Sequence, residues 1–182
     1  MAKSLQRTDK EIAELYQRHV KTVYRVCFAY MKNRDDADDM VHDTFVKLIR
    51  QGCAFAHEEH EKAWLIRTAS NLCKDNLRHW WRKREKFEDC AALPGKDSFE
   101  ITETFQVIMG LPERYKTVIY MYYYEGYSGQ EIAQALSKPL STIYNHLHEA
   151  KTILRNKLGG DSNRLSNHGT KSNQAGPHKI AC

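Results

Sequence analysis

The chain is short of the features that mark secreted, membrane-embedded or catalytic proteins. Its five cysteines, Cys27, Cys53, Cys73, Cys90 and Cys182, are odd in number, scattered and without a CxxC pair. That spacing supports neither a disulfide framework nor a zinc site. Cys27 and Cys73 fall on helical apolar stripes and read as small buried hydrophobes, while a redox switch at Cys53 or Cys90 is the weaker reading of that pair. No run approaches the ~18 apolar residues of a membrane span. The first ten residues are polar and lead straight into an amphipathic helix, unlike a signal peptide, so a cytoplasmic protein is expected. The nine histidines are spread along the chain with no triad, Gly-rich phosphate loop or ligand cluster, and His57-Glu58-Glu59-His60 is not an HExxH arrangement. The expectation is therefore a non-enzyme with no metal, no cofactor and no catalytic residue.

What is present is helix. Internal repeats and strand-like alternation are missing, whereas apolar residues recur at steps of three and four almost throughout. Ile12, Leu15, Tyr16, Val20, Val23, Cys27 and Tyr30 form one stripe; Ala37, Met40, Val41, Phe45, Leu48 and Ile49 form a second, behind an Asn33 cap. Gln51 to Glu61 reads as a loop, and a long helix resumes near Lys62 with Ile66, Ala69, Cys73, Leu77 and Trp80 on one side. Glu88 to Asp97, with Pro94-Gly95 and no periodicity, reads as a linker. Ser98 is the expected cap of a helix carrying Ile101, Phe105 and Ile108, and Pro112 opens another that ends at Gly126. Beyond Gly159 the composition turns to Gly, Ser, Asn and Lys, as in a disordered tail. The fold class is all-α: two small helical domains, 1–87 and 98–158, joined by a flexible linker at 88–97 and followed by a tail at 159–182.

The second domain contains a helix-turn-helix. Ser128 and Glu131 match a capping box, and Tyr127 can staple onto Ile132. Ser137-Lys138-Pro139 then breaks the helix, and a second helix buries Ile143, Leu147, Ala150, Leu154 and Leu158 on one side. A short helix, a tight turn and a helix with an uncovered polar side present side chains to a DNA major groove. The formal net charge of +5 agrees with a polyanionic partner, although charge alone is weak evidence.

Four segments in register resemble one family. They are Asp35-Asp36-Ala37-Asp38-Asp39-Met40-Val41-His42-Asp43-Thr44-Phe45, Ala63-Trp64-Leu65 through Asp75, Leu111-Pro112-Glu113-Arg114-Tyr115, and Glu125-Gly126-Tyr127-Ser128 with Glu131-Ile132-Ala133. Over about residues 10–158 the chain resembles the extracytoplasmic-function bacterial RNA polymerase sigma factors. The resemblance implies a sigma factor that binds core RNA polymerase and directs promoter-specific initiation, with promoter DNA and an anti-sigma factor as further partners. It implies that the first domain docks on polymerase and reads the melted −10 element, while the second reads duplex −35 DNA. The alternative is a stand-alone helix-turn-helix regulator, which would leave the first domain unexplained.

Site residues follow from that resemblance and from the chemistry of each position. Asp35, Asp36, Asp39, Met40, Asp43, Phe45 and Leu48 are the expected polymerase contacts, although the helix dipole alone accounts for Asp35 and Asp36, and Phe45 and Leu48 could equally be plain core. Trp64, Arg67, Asn71, Lys74, Arg78, Trp81 and Arg82 are the expected −10 contacts, since cations meet phosphate and rings stack on unpaired bases. Leu65 takes the place of the second ring of the tryptophan pair that wedges DNA open in housekeeping sigma factors. Arg114, Ser141, Thr142, Tyr144, Asn145, His146, His148, Lys151 and Arg155 are the expected −35 contacts, with Asn145 suited to adenine. The resemblance is poorest here: Tyr144, His146 and Glu149 stand where relatives carry basic residues.

Overall fold

The structure is a computed structural model of the chain, and it describes residues 8–51, 55–83 and 102–157. Among the described residues there is no strand, and no helix is long and apolar enough to cross a membrane. Contacts divide the chain into two compact units, with the boundary between Glu113 and Arg114.

In the first unit, α1 (Asp9–Met31), α2 (Arg34–Gln51) and α3 (Glu58–Lys83) pack pairwise against one another. α1 opens on a capping box: the Thr8 hydroxyl accepts the Glu11 amide at 3.3 Å, and the Glu11 carboxylate accepts the Thr8 amide at 2.7 Å. Two otherwise orphaned amides are thereby satisfied reciprocally. α2 has the Asn33 cap that its sequence calls for, with Asn33 Oδ1 accepting the Asp36 amide at 2.8 Å. α3 starts a turn earlier than Lys62. Glu58, Glu59 and Glu61 lie in its first turn, where carboxylates favour the positive end of the helix, and apolar spacing does not register that contribution. With Gln51 closing α2, the expected 51–61 loop is shorter than the apolar pattern suggested.

The core of this unit draws Val23, Cys27 and Phe28 from α1, Ala37, Val41, Phe45 and Leu48 from α2, and Leu65, Ile66, Ala69 and Cys73 from α3. Cys27 and Cys73 are free and buried in mutual contact, as small hydrophobes would be; the hydrogen-bonding Cys73 thiol and, after it, burial push the Cys27 thiol far up. Three residues of the apolar stripes instead face solvent. Ile49 and Trp80, each in the last turn of its helix, are 48% and 54% exposed, and Tyr16 lies half-exposed against the Phe45 ring at 4.7 Å. Conversely, a polar pair is buried within the bundle. His19 Nε2 is 2.7 Å from Glu61 Oε1, which also accepts from Arg18 Nη1 at 3.1 Å. This cluster ties the start of α3 to the middle of α1. α4 (Glu103–Met109) lies against α1, and its cap is Thr102, whose hydroxyl accepts the Phe105 amide at 3.3 Å. Ser98 lies outside the described residues, as do the linker at 88–97 and the tail.

In the second unit, α5 (Glu113–Ile119) does not continue to Gly126 as an α-helix. It passes into a π-helical turn, Tyr120–Tyr124, closed by the Glu125 amide on the Tyr120 carbonyl at 3.2 Å. There the Tyr120 and Tyr124 rings stack at 5.3 Å, and the Tyr120 hydroxyl donates to Glu125 Oε1 at 2.8 Å. Such turns break the α-helical hydrogen-bond register and recur at functional places in proteins. Gly126, at φ 76°, ends the segment in a conformation that only glycine adopts without strain. α6 (Gly129–Leu136) and α7 (Leu140–Lys157) follow and pack together, separated by Ser137 at φ 52°.

Candidate nucleic-acid interface

The α6–α7 pair is built by its caps. The Ser128 hydroxyl accepts the Glu131 amide at 3.3 Å while Glu131 Oε2 accepts the Ser128 amide at 2.8 Å, and the Pro139 carbonyl accepts the amides of Thr142 and Ile143. On α7, Ile143, Leu147, Ala150 and Leu154 are buried, and Leu158 lies outside the described residues. Ser141, Tyr144, Asn145, His148, Lys151 and Arg155 are exposed, and Thr142 and His146 are partly exposed. The expected −35 set on this helix is thus brought to its solvent side.

Several of these side chains have unforeseen supports. The Tyr144 ring lies over the start of α6, so that a Cβ on Gly129 would stand 3.1 Å from it. Lys151 Nζ sits 6.0 Å from the rings of both Tyr122 and Tyr123, a cation held by the π-helical turn. The Arg114 guanidinium stands 4.6 Å over the Tyr115 ring, and the buried Tyr115 hydroxyl donates to Glu149 Oε2 at 2.5 Å. That carboxylate raises the Tyr115 hydroxyl above the usual tyrosine range. His146 meets the same ring edge-on at 5.5 Å. Tyr115 closes the Leu111–Tyr115 motif, which assigns it no role, and no motif marks Tyr122 or Tyr123; their only signal is an aromatic-rich stretch that reads equally well as core.

On α3 the residues Trp64, Arg67, Asn71, Lys74 and Arg78 follow one another at helical steps and none is buried. Trp64 rests against Phe55 with ring centroids 5.7 Å apart. Leu65, in the place of a second wedging ring, is fully buried and belongs to the core. Lys74 Nζ stands 5.7 Å from the Tyr30 ring, and Arg78 pairs with Asp75. Trp81 and Arg82 are in α3, but their side chains lie outside the described ones. Trp80 does not anchor the bundle.

On α2, Asp35, Asp39 and Asp43 are exposed and follow one another at steps of four, with Asp36 partly covered by Asn33. Met40, Phe45 and Leu48 require correction as surface contacts. At 7%, 6% and 2% exposure they are packing residues, because they share the side of α2 that faces α1 and α3.

Comparison with known proteins agrees with this layout. The Sigma-70 region 2 family matches residues 15–84, and Sigma-70, region 4 matches residues 103–154. The RNA polymerase sigma factor SigV of Bacillus subtilis is 27% identical over 143 residues, covering 77% of this chain and 86% of SigV. The ECF RNA polymerase sigma factor SigW of the same organism is 25% identical over 169 residues, covering 81% of this chain and 87% of SigW. The chain belongs to the extracytoplasmic-function sigma factors. The fold is also that of the sigma factor RpoE from Bartonella quintana, solved with the anti-sigma factor NepR: the TM-score is 0.65 at 19% identity, over 84% of this chain and 99% of RpoE. As a sigma factor it directs promoter-specific transcription initiation. The stand-alone regulator is not favoured, because such a protein has no use for a Sigma-70 region 2.

Proposed function

We propose that this sigma factor divides its work between its two matched regions. Residues 1–87 bind core RNA polymerase and read the melted −10 element; residues 98–158 read duplex −35 DNA across the connecting 88–97 segment. The observation that carries this reading is the partly exposed stripe of α3, in which Trp64, Arg67, Asn71, Lys74 and Arg78 line one side of a helix whose other side is packed. Cations and a ring at helical steps suit a single strand, with phosphates on the cations and an unpaired base on the indole. The exposed line Asp35, Asp39 and Asp43 suits a basic docking surface on polymerase, where charge sets on-rate and register more than affinity. In this reading the exposed Asn145 of α7 reads a base edge, and Arg114 of α5 with Lys151 and Arg155 of α7 contacts phosphates.

The chain supplies no catalytic group in this reading; nucleotide addition belongs to the polymerase, and the sigma factor works in the cytoplasm beside it. RpoE of Bartonella quintana was solved with an anti-sigma factor, and a partner of that class is proposed for this chain also. Run-off transcription with core enzyme, purified chain and a randomised promoter library tests the whole reading. The expected result is initiation that depends on the chain and selects two short elements. Initiation no greater than that of core alone, or failure to co-elute with core, would overturn it.

A further inference from the structure

Glu149 is the most unexpected residue on α7. It lies one turn beyond Asn145 and two beyond Thr142, so helix geometry places it on the same side as both. Lys151, Arg155 and Lys157 are the cations of the remaining helix, and a carboxylate among groups that approach phosphate opposes them. The structure shows what restrains it. The Tyr115 hydroxyl donates to Glu149 Oε2 at 2.5 Å, and Tyr115 is 1% exposed, so its ring cannot follow a carboxylate that swings outward. Arg114, 4.6 Å from the centroid of the same ring, brings an opposite charge to that neighbourhood. His146, edge-on to Tyr115, shares the contact and lies on the turn of α7 that carries Asn145.

We propose that Tyr115 is a positioning residue for −35 recognition: it tethers the Glu149 carboxylate toward α5 and keeps that charge away from the DNA backbone. The inference rests on the reading of α7 as the −35 helix. It makes the tyrosine a condition for tolerating an acid at position 149. The tether is a single hydrogen bond and the repulsion it prevents is that of one exposed charge, so the effect is modest and salt-dependent.

The test compares holoenzymes carrying the wild-type chain, Tyr115→Phe, Glu149→Gln and the double substitution. Each is titrated with a duplex bearing the −35 element selected in the library experiment and with the same duplex scrambled. Tyr115→Phe is expected to weaken −35 binding by roughly two- to fivefold, the size of one exposed charge interaction, and more at low salt than at high. Adding Glu149→Gln to it is expected to restore wild-type binding or better, since the freed side chain then carries no charge. A merely structural tyrosine would give a loss that Glu149→Gln does not repair, and that outcome overturns the proposal, as does a Tyr115→Phe holoenzyme that binds like wild type. If the wild-type holoenzyme does not distinguish the −35 duplex from its scrambled control, the −35 assignment fails first and takes this inference with it.

Discussion

Gly129 and Tyr144 are coupled through space rather than through any sequence motif. A methyl group on Gly129 would stand 3.1 to 3.3 Å from two ring carbons and the hydroxyl oxygen of Tyr144, closer than ordinary van der Waals contact. Alanine is otherwise the better helix former at a helical position, by about 0.5–1 kcal/mol. Gly129→Ala is therefore expected to stabilise the chain more in a Tyr144→Ala background than in the wild type, as read by denaturant midpoints in a double-mutant cycle. Equal effects in the two backgrounds would show that the ring moves aside freely. Nothing in the residue types at 129 and 144 announces this pairing, because a glycine after a cap reads only as a permissive residue. The same holds for His19 and Glu61, which are 42 positions apart. Apolar periodicity skips polar residues by construction, so a buried hydrogen-bonded pair is invisible to it.

The caps dominate at the scale of elements. α6 has eight residues, too few to persist on propensity alone, so its capping box carries weight. Ser128→Ala removes the acceptor for the Glu131 amide and is expected to cost about 1 kcal/mol, measured as a lowered denaturant midpoint with unchanged slope. The Tyr115–Glu149 hydrogen bond joins α5 to α7 and has a pH signature. A tyrosine raised above its unfolded value contributes stability that is fully present below the unfolded pKa and is lost as pH rises through the folded one. Stability is thus expected to fall in the alkaline range, and Tyr115→Phe is expected to remove that part of the fall in a pH series of melts. Legibility follows the same division. The Asn33 cap, the Ser128 box and the break at Ser137 were readable because local side-chain chemistry alone decides them. The π-helical turn and the early start of α3 were not. One is a change of hydrogen-bond register inside an aromatic-rich stretch that leaves the apolar pattern unmarked, and the other involves carboxylates that favour a helix end without adding to its apolar face.

For the whole molecule, the proposed division of labour separates melting from duplex recognition, and two substitutions can tell them apart. With Leu65 in the core, Trp64 is the one ring of the expected wedge left partly exposed, so strand opening leans on a single stack worth ~1–3 kcal/mol. Trp64→Ala is expected to reduce open-complex formation on an intact promoter and to recover most of it on a template whose −10 segment is already unpaired. Asn145→Ala is expected to behave oppositely. It relaxes discrimination within the −35 element by ~1–3 kcal/mol per affected base pair, and an unpaired −10 segment does not restore that discrimination. Permanganate footprinting on paired and pre-opened templates reads the first substitution, and competition among −35 variants reads the second. If the pre-opened template rescues both equally, the two faces do not work separately and the assignment of α3 to melting is wrong. If it rescues neither, Trp64 acts after opening, on the single strand once formed, and the stack belongs to base reading rather than to strand separation.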